Sequence, residues 1–430
     1  MFAVVVAFAF ANYFLCVANA TPIVDAFVEH QTISLAPNDE LTDDKTWTKQ
    51  AMQKMWEERK NMGRTNIYVF KPKGMPHVSI VFKNESSSPT ESLKHRYAWA
   101  LMTWALLEQK IKNGTHVFEA SSGNTAFSLG YMCRKLGLPF TAVVPDTLEE
   151  VKQQRIRDQG AEIHKVPIGE RLKAASQLAE QNRGFFMNQF KNAYYAEEFH
   201  ESGDYGHESA NIFHEILQQL RSSRIATPHY FVHSAGTGGT ITSIGRYAKK
   251  YGVPTEIVLA DTQFSIYYDY VLRGKFTNAS GASQWVSPGM AGVGYGPMGA
   301  AKLAATTSLD PAVIDRALKL PDVASTAAIR VANDHGIRGG TSTGVNLLAA
   351  LHVAASATTR RPVVIATILA DSANYYRESY LNREWIADKF EAHGGLKVYD
   401  CWRKVIKQSI EQGTDPLAIG NEACRNDKIH

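Results

Sequence analysis

The chain has 430 residues, 46 Lys+Arg against 42 Asp+Glu, and a formal net charge of +4. Apolar residues make up 44 % and charged residues 20 %, enough apolar surface to bury a core and exclude disorder as the main state. A near-neutral chain with no Lys/Arg run longer than three argues against a nucleic-acid partner, and roughly 100–200 residues per domain predicts two domains.

Residues 1–20 carry no charged side chain and close on Ala18-Asn19-Ala20, a small-x-small pattern that predicts a signal peptide cut after Ala20 and a secretory route. A short anchor is the other reading, although the apolar run falls below the about 20 residues of a membrane span. Residues 41–62 are polar and helix-forming. His77 to Phe82 read as a strand, 92–110 as a helix, Val117-Phe118 as a strand and 124–136 as a helix. Phe140 to Val144 is a strand, 147–159 a polar helix, Ile163 to Val166 a strand and 169–182 a helix. Strand 229–234, helix 240–251, strand 256–260, helices 325–335 and 344–356, and strand Val363 to Leu369 complete the pattern. Strands separated by helices imply parallel crossovers, hence an α/β fold with doubly wound, three-layer domains. Residues 274–300 hold seven glycines and read as an irregular loop. The last thirty residues read as a polar tail. Cys401 and Cys424 lie in it, either paired or as two surface thiols, while Cys133 reads as core. Sequons start at Asn84, Asn113 and Asn278.

Ligands of such sheets bind beyond the carboxyl ends of the strands. Four groups lie there. Glu119-Ala120-Ser121-Ser122-Gly123-Asn124-Thr125 opens a helix, either as an anion cradle or as an ordinary cap. Ser234-Ala235-Gly236-Thr237-Gly238-Gly239-Thr240 lies between strand and helix and suits a lone phosphate, the alternative being a tight structural turn. It lacks the Lys-Ser/Thr ending of a nucleotide loop and the spacing of a dinucleotide loop. Lys94, in Ser92-Leu93-Lys94-His95-Arg96, stands in the first turn of a helix, where the dipole disfavours a cation. It is a surface lysine or an amine held in covalent linkage, able to serve as nucleophile and then base. Ser372 follows the last strand as a helix cap or as a hydroxyl for a ring nitrogen. No metal site is expected.

In this order the groups resemble the fold type II pyridoxal-phosphate enzymes: cysteine synthases, cystathionine β-synthases and tryptophan synthase β chains. The likeness runs from Lys54 to Ile386 and is nearest the L-cysteine desulfhydrase branch. It implies pyridoxal 5'-phosphate between two domains, held by Lys94, with Asn124 on its 3-oxygen. Gly236, Thr237, Gly238, Gly239 and Thr240 would hold the phosphate, and Ser372 the ring nitrogen. Ser121, Ser122, Gly123, Thr125 and Gln189 would bind the carboxylate of a small amino acid such as cysteine. Gly292-Val293-Gly294 resembles the mobile segment near the substrate. The resemblance places the smaller domain at 85–195 and the larger at 21–84 with 196–400, before a tail at 401–430. It also suggests a homodimer. The reaction implied is α,β-elimination, with β-replacement as the alternative and a non-catalytic secreted relative as a third reading. The chain departs from the family at Glu91, where glycine commonly precedes Ser-x-Lys, and at Ala373 and Asn374, where Gly and Glu/Arg are usual.

Overall fold

The computed structural model describes residues 43–201, 211–274, 284–296, 307–357 and 361–425. The expected leader at 1–20 and the sequon at Asn278 lie outside the described residues. Residues 1–46 and 47–430 form separate units. The helix Asp43–Met62 begins in the first, and every other described element belongs to the second.

The described strands are, in chain order, β1 Ile67–Phe70, β2 Val78–Asn84, β3 Val117–Glu119, β4 Phe140–Pro145, β5 Glu162–Val166, β6 Phe185–Phe186, β7 Tyr230–His233, β8 Glu256–Thr262, β9 Arg316–Leu320 and β10 Val363–Leu369. They form a six-stranded sheet, β1-β2-β10-β7-β8-β9, and a four-stranded sheet, β5-β4-β3-β6. The β1–β2 pair is antiparallel and the other pairs are parallel. This is the expected α/β class.

The side-chain alternation of the strands explains the layering. In β2, Val78, Ile80 and Phe82 join one apolar cluster, whereas Val81 joins another. In β10, Val363, Ile365 and Leu369 face the first cluster, and Val364, Ala366 and Ile368 face the second. A strand covered on both faces reads as a continuous apolar run, and β10 is buried at every position. Helices Asp322–Asp334 and Thr341–Ser356 cover one face. Helices Ile212–Ser222 and Gly239–Lys250 cover the other. Around the smaller sheet, helices Lys94–Leu107 and Asn124–Leu136 supply Leu101, Met102, Leu129 and Met132 to a third cluster.

The polar tail is corrected. Residues Gly395–Gln412 and Pro416–Ala423 are helical, and Trp402, Val405, Ile406 and Ile410 enter the large-sheet core. Val398, Tyr399, Trp402, Val405, Ile406, Ser409 and Ile410 recur at helical spacing, so one stripe is apolar although the average is polar. Burial of each large apolar side chain contributes about 1.5–3 kcal/mol. Cys401 and Cys424 form a disulfide, which resolves the open choice between them in favour of pairing. Cys133 is buried and free.

Candidate active site

Parallel strands deliver their carboxyl ends to one edge, and the four sequence groups follow β3, β7, β10 and the turn after β2. The turn carrying Lys94 is tied to the end of β10. Leu93 N–H donates to Ala370 O at 2.6 Å, and Ser92 bridges Asp371. Lys94 opens its helix, and its own N–H donates to Ser92 Oγ at 3.1 Å.

Two buried ion clusters hold the first turn of that helix. His95 Nε2 lies 2.9 Å from Glu58 Oε1, and Lys135 also reaches Glu58. Burial would raise the Glu58 pKa, but bonds from His95 and Lys135 outweigh it and bring the group down to about 2. On the other side Arg96 bridges Glu215 at 2.7 Å and Glu85 at 3.2 Å, with Lys83 Nζ 2.9 Å from Glu215. Glu215 likewise falls to about 2, its burial outweighed by Arg96 and then Lys83. Such pairs are costly to break singly, because the surviving charge would be buried alone. They fix the helix that presents Lys94.

The loop after β3 is held from beneath. Glu119 is fully buried, and it accepts from Gln189 N–H at 3.1 Å and from Gln189 Nε2 at 3.4 Å. Thr125 Oγ1 donates to Gln189 Oε1 at 2.9 Å, and Tyr97 Oη donates to Gln189 O at 2.7 Å. Burial pushes the Glu119 carboxyl up to about 7, against the pull of the Gln189 hydrogen bonds. The structure therefore brings Thr125 and Gln189 together across 64 residues. Ser121, Ser122, Gly123 and Asn124 form the start of helix Asn124–Leu136, whose first N–H groups lack intrahelical partners. Such a start favours a carboxylate.

The loop after β7 is shaped by close backbone approach. Gly238 has φ +89°, and a Cβ there would lie 2.3 Å from Leu309 N. A Cβ on Gly236 would lie 2.6 Å from Gly292 O. Gly239 opens the following helix, and its N–H donates to Thr237 Oγ1 at 3.4 Å. Gly292-Val293-Gly294 leans on this loop, with Gly294 N–H donating to Ala235 O at 2.7 Å. Thr240 stands in the first turn of the helix Gly239–Lys250. From Ser234 to Thr240 the loop offers backbone N–H groups and small hydroxyls, which suit a phosphate.

Beyond β10, Ser372 Oγ caps the short turn Ala373–Tyr376 by accepting from Asn374 N–H at 3.3 Å. Its neighbour Asp371, part of the same Ala370-Asp371-Ser372 turn but expected to have no role of its own, lies deeper. Asp371 Oδ2 accepts from Asn124 Nδ2 at 2.7 Å and from Tyr376 Oη at 2.6 Å, while buried Oδ1 has no partner. Burial raises its pKa, with Tyr376, Asn124 and the Lys94 charge opposing. His233, at the end of β7, is a second missed neighbour. Burial, reinforced by the positive charge of Lys94, pushes its pKa down to about 3. It is neutral, and Nδ1 accepts from Asn346 Nδ2 at 3.1 Å. No local signal marks the role of either residue, because Asn124 and Lys94 beside Asp371, and Lys94 and Asn346 beside His233, come from other segments.

Glu91 occupies the left-handed region at φ 52°, where the family's glycine would sit without strain. Tyr375 Oη donates to Glu91 Oε2 at 2.7 Å, which ties this turn to the segment after β10.

A glycine turn with bare backbone, a lysine opening a helix and a helix start with open N–H groups, all beyond the carboxyl ends of parallel strands, are what a cofactor-dependent α/β enzyme presents. The chain belongs to the family described as pyridoxal-phosphate dependent enzyme, which matches residues 61–369. It is 44 % identical, over 91 % of its length and 93 % of the relative, to a Caenorhabditis elegans protein provisionally named as pyridoxal-phosphate dependent. It is 34 % identical to the L-cysteine desulfhydrase of Mycobacterium tuberculosis, covering 72 % of this chain and 80 % of that one. Among solved structures it resembles an O-ureido-L-serine synthase with a TM-score of 0.62 and 24 % identity, covering 75 % of this chain and 94 % of that one; this likeness concerns the fold.

The cofactor is therefore pyridoxal phosphate, and the residues present fit it. Gly236 and Gly238 keep the loop after β7 free of side chains, since a Cβ at either would strike Gly292 O or Leu309 N, and the buried Asp371 Oδ1 adds an unpartnered acceptor beside Asn124.

Proposed function

We propose that the chain catalyses α,β-elimination on a β-substituted amino acid, with L-cysteine and water giving sulfide, ammonia and pyruvate. The observation that carries this reading is the 34 % identity to an L-cysteine desulfhydrase across 72 % of the chain. Pyridoxal phosphate supplies the electron sink for the α-carbanion. In this reading Gly236, Thr237, Gly238, Gly239 and Thr240 would receive the phosphate, and Lys94 Nζ would hold the cofactor and take the α-proton. Asn124 Nδ2 donates to the 3-oxygen. The Ser372 hydroxyl, still able to donate while it caps Asn374, meets the ring nitrogen. Ser121, Ser122, Gly123, Thr125 and Gln189 hold the substrate carboxylate, which fixes which bond breaks.

A hydroxyl partner cannot keep the ring nitrogen protonated as a carboxylate would. That favours prompt departure of the β-substituent. β-Replacement, giving cysteine, cyanoalanine or cystathionine, is the second reading, and it requires a nucleophile to enter before hydrolysis. The purified protein incubated with L-cysteine alone should release sulfide and pyruvate in equal amounts. Product formation only when a second nucleophile is added would replace elimination with synthesis. Lys94→Ala should leave a folded protein with no borohydride-trapped cofactor by mass spectrometry. A tag on any other residue would refute the assignment.

We also place the protein in the secretory pathway, with cleavage after Ala20. The Cys401–Cys424 disulfide supports this, because such bonds persist in oxidising compartments. Asn113 is exposed in a turn and suits a glycan, whereas Asn84 is half-buried and accepts from Ser86 Oγ at 2.6 Å. A homodimer is the expected assembly.

A further inference from the structure

Arg155 is the one cation among the described residues whose guanidinium lies between two aromatic rings beside Asn124. Its centre is 4.1 Å from the Phe127 ring and 3.6 Å from the Tyr375 ring. Nη1 donates to Asn124 Oδ1 at 3.0 Å. Nη2 is buried and has no hydrogen-bond partner. On the far side of the same amide, Asn124 Nδ2 donates to Asp371 Oδ2, which Tyr376 Oη also holds. We infer that Arg155 is a positioning residue for the cofactor, acting through Asn124. The inference rests on the reading that Asn124 faces the cofactor's 3-oxygen.

An asparagine amide has two nearly isosteric faces, and only its neighbours decide which way it points. Here a cation stands on the oxygen and a carboxylate on the nitrogen. Rotation by half a turn would set NH₂ against guanidinium and oxygen against carboxylate, two repulsions in place of two charge-assisted bonds. The amide is therefore locked with its nitrogen inward, and its second N–H hydrogen remains for a ligand. The rings do separate work. They fix the plane of the guanidinium, which otherwise has many rotamers, and they exclude water from the bond. Three distant segments supply the parts: Arg155 on helix Glu150–Arg157, Phe127 and Asn124 on the helix after β3, and Asp371, Tyr375 and Tyr376 after β10.

A donor aimed at the 3-oxygen favours its ionised form. Its loss should weaken cofactor binding and shift the chromophore's protonation equilibrium to higher pH. The test uses Arg155→Leu, which keeps bulk between the rings, and Arg155→Lys, which restores a donor. Apo-protein is titrated with pyridoxal phosphate, and the visible absorbance of the bound cofactor is followed against pH. Arg155→Leu should bind about tenfold more weakly, as for one lost charge-assisted bond, with its absorbance transition displaced upward. Arg155→Lys should recover most of both. Wild-type affinity and a wild-type pH profile in Arg155→Leu overturn the inference. Should that variant not fold, a lysine variant identical to wild type in affinity and profile supports it, and one lacking cofactor absorbance overturns it. Absence of cofactor absorbance in the unmutated protein would instead sink the reading of Lys94 and Asn124.

Discussion

The two sides of the candidate site are built by different means. The loop after β7 is backbone. Between Ser234 and Thr240 the cradle is made from N–H groups, three glycines and two threonines, and the fit of Gly238 against Leu309 leaves no room for a side chain. The cluster around Asn124 is made of side chains. There Arg155, Asn124, Asp371 and Tyr376 form a line of hydrogen bonds drawn from three segments, above Glu119 and Gln189. A backbone site needs a contiguous run of permissive residues. A side-chain site needs only that folding bring single residues together, so it is scattered along the chain.

The sharpest way to break the contrast is Gly238→Val. The added Cβ would fall 2.3 Å from a backbone nitrogen, at a φ that β-branched residues avoid. Cofactor affinity should drop about a hundredfold, the equivalent of roughly 3 kcal/mol of strain and displaced backbone. An absorbance titration reads this directly, and undiminished affinity would mean the phosphate is held elsewhere.

Glu119→Gln tests the side-chain half. Burial pushes its carboxyl up to about 7, against the ordinary 4.5. The folded state thus binds the proton more tightly than the unfolded chain. The resulting penalty is absent below about pH 4.5, grows as pH rises towards 7, and stays constant above that. Glutamine carries no such penalty. Denaturant unfolding at pH 8 should show the variant gaining roughly 3 kcal/mol over wild type relative to pH 4.5, and a pH-independent difference would argue that Glu119 is ionised without cost. The loop after β7 has no titratable group from Ser234 to Thr240 and should contribute nothing to that profile. Glu58 and Glu215, both held at about 2, act with the opposite sign. Their contribution is full above pH 4.5 and fades as pH falls towards 2.

The smallest effect should come from Glu91→Gly. Glycine relieves the left-handed strain at φ 52° but loses the Tyr375 hydrogen bond and loosens the unfolded chain. These terms nearly cancel, so stability should stay within about 1 kcal/mol of wild type by chemical denaturation. A larger loss would show that the Glu91–Tyr375 tie is needed to hold the lysine turn.

This division also explains what could be read in advance. Both loops, Lys94 and the parallel architecture are local patterns, each visible in a run of seven residues or an apolar strand. Arg155 looked like any charge on a polar helix, and Asp371 like the residue before a serine. Their meaning comes from contacts across 31 and 247 residues. Ser372 was legible as a serine after a strand, but its use as the cap of Ala373–Tyr376 needed coordinates. The C-terminal helices were misread for another reason. Their mean polarity hid a periodic stripe that Trp402 and Ile406 betray once it is looked for. β6, with two residues, is too short to show alternation at all.

The central position of β10 has a consequence for how the protein is made. β2 pairs with β10 in full register, Val78 with Val363 through Asn84 with Leu369, so the large sheet stays open until the ribosome has delivered nearly the entire polypeptide. The four-stranded sheet, closed between residues 117 and 186, has all its strands far sooner. Synthesis thus favours a nascent chain that carries one finished half and one waiting apolar surface, and the interval before β10 emerges is when a chaperone would matter most.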